Sequence, residues 1–264
     1  MRIGADGSAD WNPDAYARFA DPRLRPVQDL IARIGDLPHG KVIDLGCGAG
    51  AAATTLADRW PDRKIVGVDN SPAMLARAAA TGVYRRCDLA DVSDWRPGKP
   101  PALIFSNAVL QWLENHATLL PHLASLLAPG GVLAVQMPSQ FAAPSHRFLR
   151  DFTGEMFPDR FDFTEWTPSV ATPLEYSRLL APLGQVDLWS TEYVHRLPGG
   201  DGGHPVRRFT ESTALRPFAA RLTAPELAAL IARYEAALAI AYPYEAYGTV
   251  LFPFRRLFFT LRVA

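Results

Sequence analysis

One stretch, Lys41-Val42-Ile43-Asp44-Leu45-Gly46-Cys47-Gly48-Ala49-Gly50, constrains the fold more than any other in the 264 residues. Its apolar, β-branched start reads as a strand that ends near Asp44. Three alternating glycines follow, then the helix-forming run Ala51 to Ala57. Strand, bare turn and helix in that order make a glycine-rich βα unit. Without Cβ atoms such a turn takes positive φ and lets a ligand touch the backbone, while the N–H groups of the next helix point at it. Something large and polar is expected to lie across it. A dinucleotide-binding turn reads G-x-G-x-x-G; here the third glycine comes one residue early, and an acid stands two residues before the first. Taken alone, the stretch also fits an ordinary glycine-rich turn.

The following segments repeat the alternation of strand and helix. Ile65 to Asp69 is a second strand ending in an acid about twenty residues beyond the turn, where a carboxylate can accept both hydroxyls of a ribose. Ser71 and Pro72 are placed as N-cap and first residue of a helix that contains Met74. Val83 to Asp88 is a short third strand, and Ala102 to Ser106 is a fourth whose continuous apolar run predicts burial on both faces. A helix over 116–127 and the turn Leu127-Ala128-Pro129-Gly130-Gly131 lead into a fifth strand, Val132 to Met137. A helix at 173–180, a sixth strand at 186–191, an insertion over about 197–248 with a helix from Pro225 to Ala241, and a closing strand at 258–263 complete the chain. Before the first strand, residues 1–40 read as a helical preface, with Leu30, Ile31 and Ile34 at helical spacing.

The acid-x-glycine-x-glycine-x-glycine order resembles the first motif of class I S-adenosylmethionine-dependent methyltransferases. The acid after strand two, the acid after strand three and the Leu-x-Pro-Gly-Gly turn resemble further marks of that family. The resemblance implies an α/β, Rossmann-like architecture: a seven-stranded, mostly parallel sheet with helices on both faces and a helical cap, all in one domain spanning 1–264. It also implies a cofactor site for S-adenosyl-L-methionine, with S-adenosyl-L-homocysteine as product. Asp44, Gly46 and Gly48 would form the turn, and Asp69 with Asn70 would meet the ribose. Met74, Asp88 and Leu89 would surround the adenine, and Asn107 and Trp112 would follow strand four. Met74 serves equally well as core filler; Asp88 is chosen over Asp91 and Asp94, with a solvated loop acid as the alternative.

Strand four carries the chemistry in this family. Members that methylate nitrogen in bases or glutamine have Asn/Asp-Pro-Pro-Tyr there, whereas this chain has Ser106-Asn107-Ala108-Val109, with no proline and no aromatic ring. The longer string through Trp112 resembles small-molecule O- and C-methyltransferases. Trp11-Asn12-Pro13-x-x-Tyr16, Thr213-Ala214-Leu215-Arg216-Pro217 and Phe252-Pro253-Phe254-Arg255-Arg256-Leu257-Phe258 add a narrower resemblance, to a branch that esterifies one carboxylate of a small tricarboxylate. It spans nearly the whole chain.

Composition narrows the partners. Lys+Arg and Asp+Glu both number 27, so no net field attracts nucleic acid or an anionic membrane. Only Lys41, Lys64 and Lys99 are lysines; the rest of the basic set is arginine, whose planar fork fits carboxylates. Two cysteines make no disulfide framework, and the N-terminus has no apolar signal core, so a soluble, cytoplasmic protein is expected. The histidines show no metal-ligand spacing, and no metal is expected. A carboxylate is already an anionic nucleophile near neutral pH, so no catalytic base is assigned. The task left to the protein is to place substrate. Arg207, Arg216, Arg255 and Arg256 are the candidates for binding carboxylates, with Trp11 and Tyr16 from the preface; each arginine serves equally well as a solvated surface residue. The same cofactor motifs would also suit a methyltransferase for another small acid or a hydroxylated metabolite, or a non-catalytic cofactor-binding subunit.

Overall fold

The computed structural model describes residues 20–264, so Trp11 and Tyr16 lie outside the described residues. Helix α1 (Ala20–Ala32) precedes β1 (Val42–Leu45), and α2 (Ala53–Arg59) leads to β2 (Ile65–Asp69). Helix α3 (Pro72–Ala80), β3 (Arg86–Leu89) and β4 (Leu103–Asn107) follow, then a 3-10 turn at Leu110–Trp112, α4 (His116–Ser125) and β5 (Val132–Pro138). The remainder comprises α5 (Pro144–Met156), α6 (Pro173–Leu180), β6 (Gly184–Pro198), α7 (Pro205–Glu211), α8 (Arg216–Ala219), α9 (Ala224–Ala241) and β7 (Thr249–Val263).

The seven strands form one sheet in the order β3-β2-β1-β4-β5-β7-β6, as expected of the α/β class. The β1–β2, β1–β4, β2–β3 and β4–β5 pairs are parallel. Strand β7 runs the other way: Val263 N–H donates to Gly131 O, while Ser139 N–H donates to Arg255 O, so numbering falls on one strand as it rises on the other. The chain goes outward from β1 to β3 and then returns to β4 on the opposite side of β1. That reversal opens a crevice at the carboxyl ends of β1 and β4, the usual place for a ligand in such sheets. Leu103, Ile104 and Phe105 of β4 are wholly buried, which accounts for that strand's unbroken apolar run.

The described chain groups into two compact units. The sheet unit takes in residues up to 138, then 169–191 and 257–264; the helical unit takes in 139–168 and 192–256. In the helical unit α5 packs on α9, and both pack on α7. The expected insertion at 197–248 falls between β6 and β7, and segment 139–168, not anticipated from sequence, belongs with it. Several bounds differ from expectation, β3 starting only at Arg86 among them. Helix α2 begins at Ala53, because the turn consumes Ala51 and Ala52. Strands β6 and β7 are 15 residues each, far longer than read from sequence. In β6, Tyr193, His195 and Leu197 alternate inward, while Pro253 disguised the matching extension of β7.

Candidate active site

The glycine turn has the backbone that its sequence demands. Gly46, Gly48 and Gly50 have φ of 76°, 53° and 87°. Gly46 is bare because Val109 crowds it: a Cβ there would lie 2.3 Å from Val109 Cγ2. Gly48 is bare for the opposite reason, since a Cβ there would meet nothing within 4 Å and would project into open space over the turn. Gly46 and Cys47 N–H both donate to Val68 O, at 2.7 and 2.9 Å, tying the turn to β2.

Asp69 ends β2 beside that turn. Its Oδ2 accepts from Gly48 N–H at 2.8 Å and its Oδ1 from Ser71 N–H at 2.9 Å. Both oxygens are thereby aimed, and each keeps a lone pair for a hydroxyl donor. Ser71 is the expected N-cap: its Oγ accepts from Met74 N–H at 3.2 Å. Met74 is buried, and Asn70 is exposed. At the end of β3, Asp88 is half-buried with Arg86 Nε at 2.9 Å, and Leu89 is 63% exposed, an apolar side chain with an open face.

Asp44 is nearly inaccessible, at 2% exposure. Its Oδ2 accepts from the Tyr84 hydroxyl at 2.6 Å. Burial, reinforced by the charge of Asp69, pushes its pKa up to about 7 in spite of the tyrosine hydrogen bond. Burial raises the Tyr84 phenol and the Cys47 thiol as well, so Tyr84 acts as a donor and Cys47 is no thiolate nucleophile.

Strand β4 delivers Asn107 to the same edge. Ser106 Oγ donates to Leu45 O at 3.0 Å, pinning the ends of β1 and β4 together. Ala108 then takes φ of 58°, which a non-glycine residue accepts only where its surroundings enforce it. Its N–H donates to Gln136 O at 2.9 Å and its carbonyl accepts from Gln111 Nε2 at 2.7 Å. Asn107 Oδ1 and Gln111 Oε1 are buried acceptors with no donor, the kind of atoms a bound ligand's N–H or O–H groups would satisfy. The 3-10 turn with Gln111 and half-buried Trp112 is held by His116, whose Nε2 lies 2.8 Å from Leu110 O and whose Nδ1 lies 2.5 Å from the Tyr176 hydroxyl. A carbonyl at Nε2 requires the proton there, so Nδ1 accepts from Tyr176, and burial lowers the His116 pKa toward this neutral form.

The four arginines belong to the helical unit, where they differ in what they touch. Arg207 is spent: Nε lies 2.8 Å from Glu235 Oε1, Nη1 lies 3.2 Å from Glu211, and Nη2 donates to Gly202 O. Arg255 and Arg256 alternate on β7, so they face opposite ways. The Arg256 side chain is buried with its guanidinium 4.8 Å over the Phe254 ring. The Arg255 side chain is 61% exposed, with only a loose approach of 3.7 Å to Glu192. Arg216 opens α8 and is half-buried.

Residues 16–180 match the family model described as a methyltransferase domain. Trans-aconitate 2-methyltransferase of Methylobacterium nodulans is 46% identical over 96% of this chain and 98% of its own. The protein of the same name from Klebsiella pneumoniae is 41% identical over 96% of this chain and 98% of its own. The chain belongs to the trans-aconitate 2-methyltransferase family. Among solved structures, Bacillus subtilis YcgJ matches with a TM-score of 0.58 at 13% identity, covering 90% of this chain and 98% of that one. A Haemonchus contortus phosphoethanolamine N-methyltransferase holding S-adenosylhomocysteine matches with a TM-score of 0.54 at 15% identity, covering 95% of this chain and 57% of that one. At such identities these two establish the shared fold and nothing more.

Sequence reading missed Tyr84, Val109, Gln111, His116 and Tyr176. One signal was available: Gly67, isolated within a β-branched strand, indicates that another group passes close by, and a Cβ there would lie 3.2 Å from the Tyr84 ring. Among the described residues no helix is long and apolar enough to cross a membrane, and no cluster of three His, Cys, Asp or Glu side chains stands ready for a metal.

Proposed function

We propose that this protein transfers a methyl group from S-adenosylmethionine to one carboxylate of trans-aconitate, giving the methyl ester and S-adenosylhomocysteine. The observation that carries the reading is the near full-length match, at 46% identity, to a relative named for that activity. The site's chemistry supports it. The cofactor supplies an electrophilic methyl group on a sulfonium. Asp69, aimed by two backbone donors, accepts the ribose hydroxyls; Leu89 covers one face of the adenine, with Asp88 and Met74 beside it. The open space over Gly48 admits the cofactor's backbone contact, and the orphaned Asn107 Oδ1 accepts its ammonium.

No group need remove a proton from the substrate, because a carboxylate is ionised well below neutral pH. The histidines of the helical unit suit that division of labour. His146 is half-buried, and desolvation with the neighbouring Arg150 charge pushes it down to about 4, while His195 is buried among aromatic rings. His204 Nδ1 accepts from Val206 N–H as a helix cap. None of the three is a free general base. Catalysis then consists of holding carboxylate and methyl in line, about 3 Å apart, in a dry site. Within the helical unit, Arg255 and Arg216 supply the carboxylate ligands and Arg207 is an internal brace; Arg256, on the opposite face of β7 from Arg255, packs on Phe254.

The test is incubation of purified protein with radiolabelled S-adenosylmethionine and a panel of di- and tricarboxylates, followed by assay for base-labile label. Label on trans-aconitate alone is expected. Label resistant to base would replace the ester with methylation of another atom, and label on a different acid would change the substrate.

A further inference from the structure

Behind the glycine turn, Tyr84 has closed over Asp44. Asp44 sits on β1 in register with Gly67 of β2 and Phe105 of β4. Because Gly67 has no side chain, the Tyr84 ring occupies the strip of sheet beside it and reaches across β2 to place its hydroxyl 2.6 Å from Asp44 Oδ2. The result is a carboxyl group almost cut off from water. The groups that bear on its charge are Asp69 from β2, Tyr84 from the segment before β3, Cys47 from the turn and Cys87 from β3, and none of these is cationic. A buried carboxylate without a counter-ion is costly and takes up a proton instead. Its counter-ion is therefore expected from outside the protein.

We propose that Asp44 and Tyr84 form a proton-linked latch under the cofactor turn: Asp44 releases its proton to solvent when a cationic cofactor binds, and the Tyr84 hydroxyl is the positioning group that holds the resulting carboxylate. The inference rests on the cofactor reading above. The balance is simple, since the carboxyl O–H breaks, the proton goes to buffer, and the new negative charge lies beneath the turn that the cationic ligand crosses. Tyr84 keeps its own proton throughout and donates to Asp44 in either state. With Asp44 poised near 7, cofactor affinity becomes sensitive to pH where most side chains are silent.

Titration calorimetry of S-adenosylmethionine binding, run in two buffers of different ionisation enthalpy, counts the protons released. The wild-type protein should release close to one proton more than Asp44→Asn at about pH 6 and none more at about pH 9. Its Kd should be about tenfold weaker at about pH 6 than at about pH 8. Tyr84→Phe keeps the ring over Gly67 but loses the donor, so the inflection in Kd should move to higher pH; a tyrosine that merely packs would leave it in place. Equal proton release in wild type and Asp44→Asn, or an unmoved inflection in Tyr84→Phe, overturns the latch while leaving the cofactor assignment intact. Should Asp44→Asn fail to fold, the position of the Kd inflection in the wild type against Tyr84→Phe decides alone. Absence of binding at every pH would instead remove the cofactor reading, and the latch with it.

Discussion

The carboxyl edge of the sheet and the helical unit are built from the same twenty side chains but by different rules. At the sheet edge the contacts that aim Asp69 belong to local motifs, since it accepts from Ser71 two residues on and from Gly48 21 residues back. The contacts behind it, Tyr84 to Asp44 across 40 residues and Ser106 to Leu45 across 61, come from the fold. In the helical unit they are long. Tyr234 hydroxyl donates to Ser145 O across 89 residues, Arg160 pairs with Glu226 across 66, and Gln140 Nε2 donates to Pro253 O across 113. The part of the site made of turns and strand ends is written locally, whereas its second layer, like a unit made of helix faces, is written only by the fold. The oxygens of Asp69 are therefore aimed in advance, whereas in the helical unit Arg207, a candidate ligand in the sequence, holds Glu211 and Glu235.

The sharpest way to break this contrast lies within the glycine turn itself. Gly46→Ala forces a Cβ into Val109 at positive φ and should cost the fold roughly 2–5 kcal/mol, read by urea denaturation. Gly48→Ala meets no protein atom and should cost the fold only about 1 kcal/mol, yet weaken cofactor binding tenfold or more, because its Cβ fills the ligand's space. Equal effects of the two on stability and on affinity would mean that the open space over Gly48 is not a ligand site.

Asp69→Ala comes next. Removing an acceptor aimed by two backbone N–H groups should weaken S-adenosylmethionine by about 1–3 kcal/mol in calorimetry. Unchanged affinity would detach Asp69 from the ribose, and the local writing of the sheet edge would then serve folding only.

In the helical unit the arginines should separate. Arg255→Lys retains charge but loses the fork, and should raise KM for the tricarboxylate severalfold with Tm unchanged, as fits an exposed, loosely paired group. Arg207→Lys gives up bonds to Glu235 and Glu211, and should lower stability by about 1 kcal/mol before it touches KM. The reverse pattern would make Arg207 the ligand and Arg255 the bystander.

How much was legible follows from these distances. The succession of strands and helices, the glycine turn, the acid Asp69 at the end of β2 and the Ser71 cap follow from local patterns, and the structure supplies each. Tyr84 was not legible as a partner of Asp44, because 40 residues and an intervening strand separate them. The brace on Arg207 was equally hidden, since Glu235 lies 28 residues away on another helix. The direction of Arg255 against Arg256 awaited the register of β7, where a slip of one residue would exchange them.

The smallest expected effect separates the two regions by pH. A hydroxyl nucleophile would need a base tuned near neutrality, and its rate would rise with that base's ionisation. A carboxylate has lost its proton by about pH 5, and beside arginines still lower, so kcat with both ligands saturating should be nearly flat from about pH 6 to 8.5. Asp44 does not contradict this. Its raised pKa of about 7 means that the free protein holds a proton below that pH and must lose it to bind, so acid weakens cofactor affinity and appears in KM for the cofactor. Saturation removes the penalty, because cofactor-bound Asp44 is already ionised. A pH series of single-turnover rates, run at cofactor concentrations well above and well below Kd, distinguishes the two regions: only the low-concentration series should bend near pH 7. A bend of tenfold or more in the saturated series, abolished by substituting His195 or His204, would place a general base in the helical unit and turn the reaction from carboxylate to hydroxyl methylation.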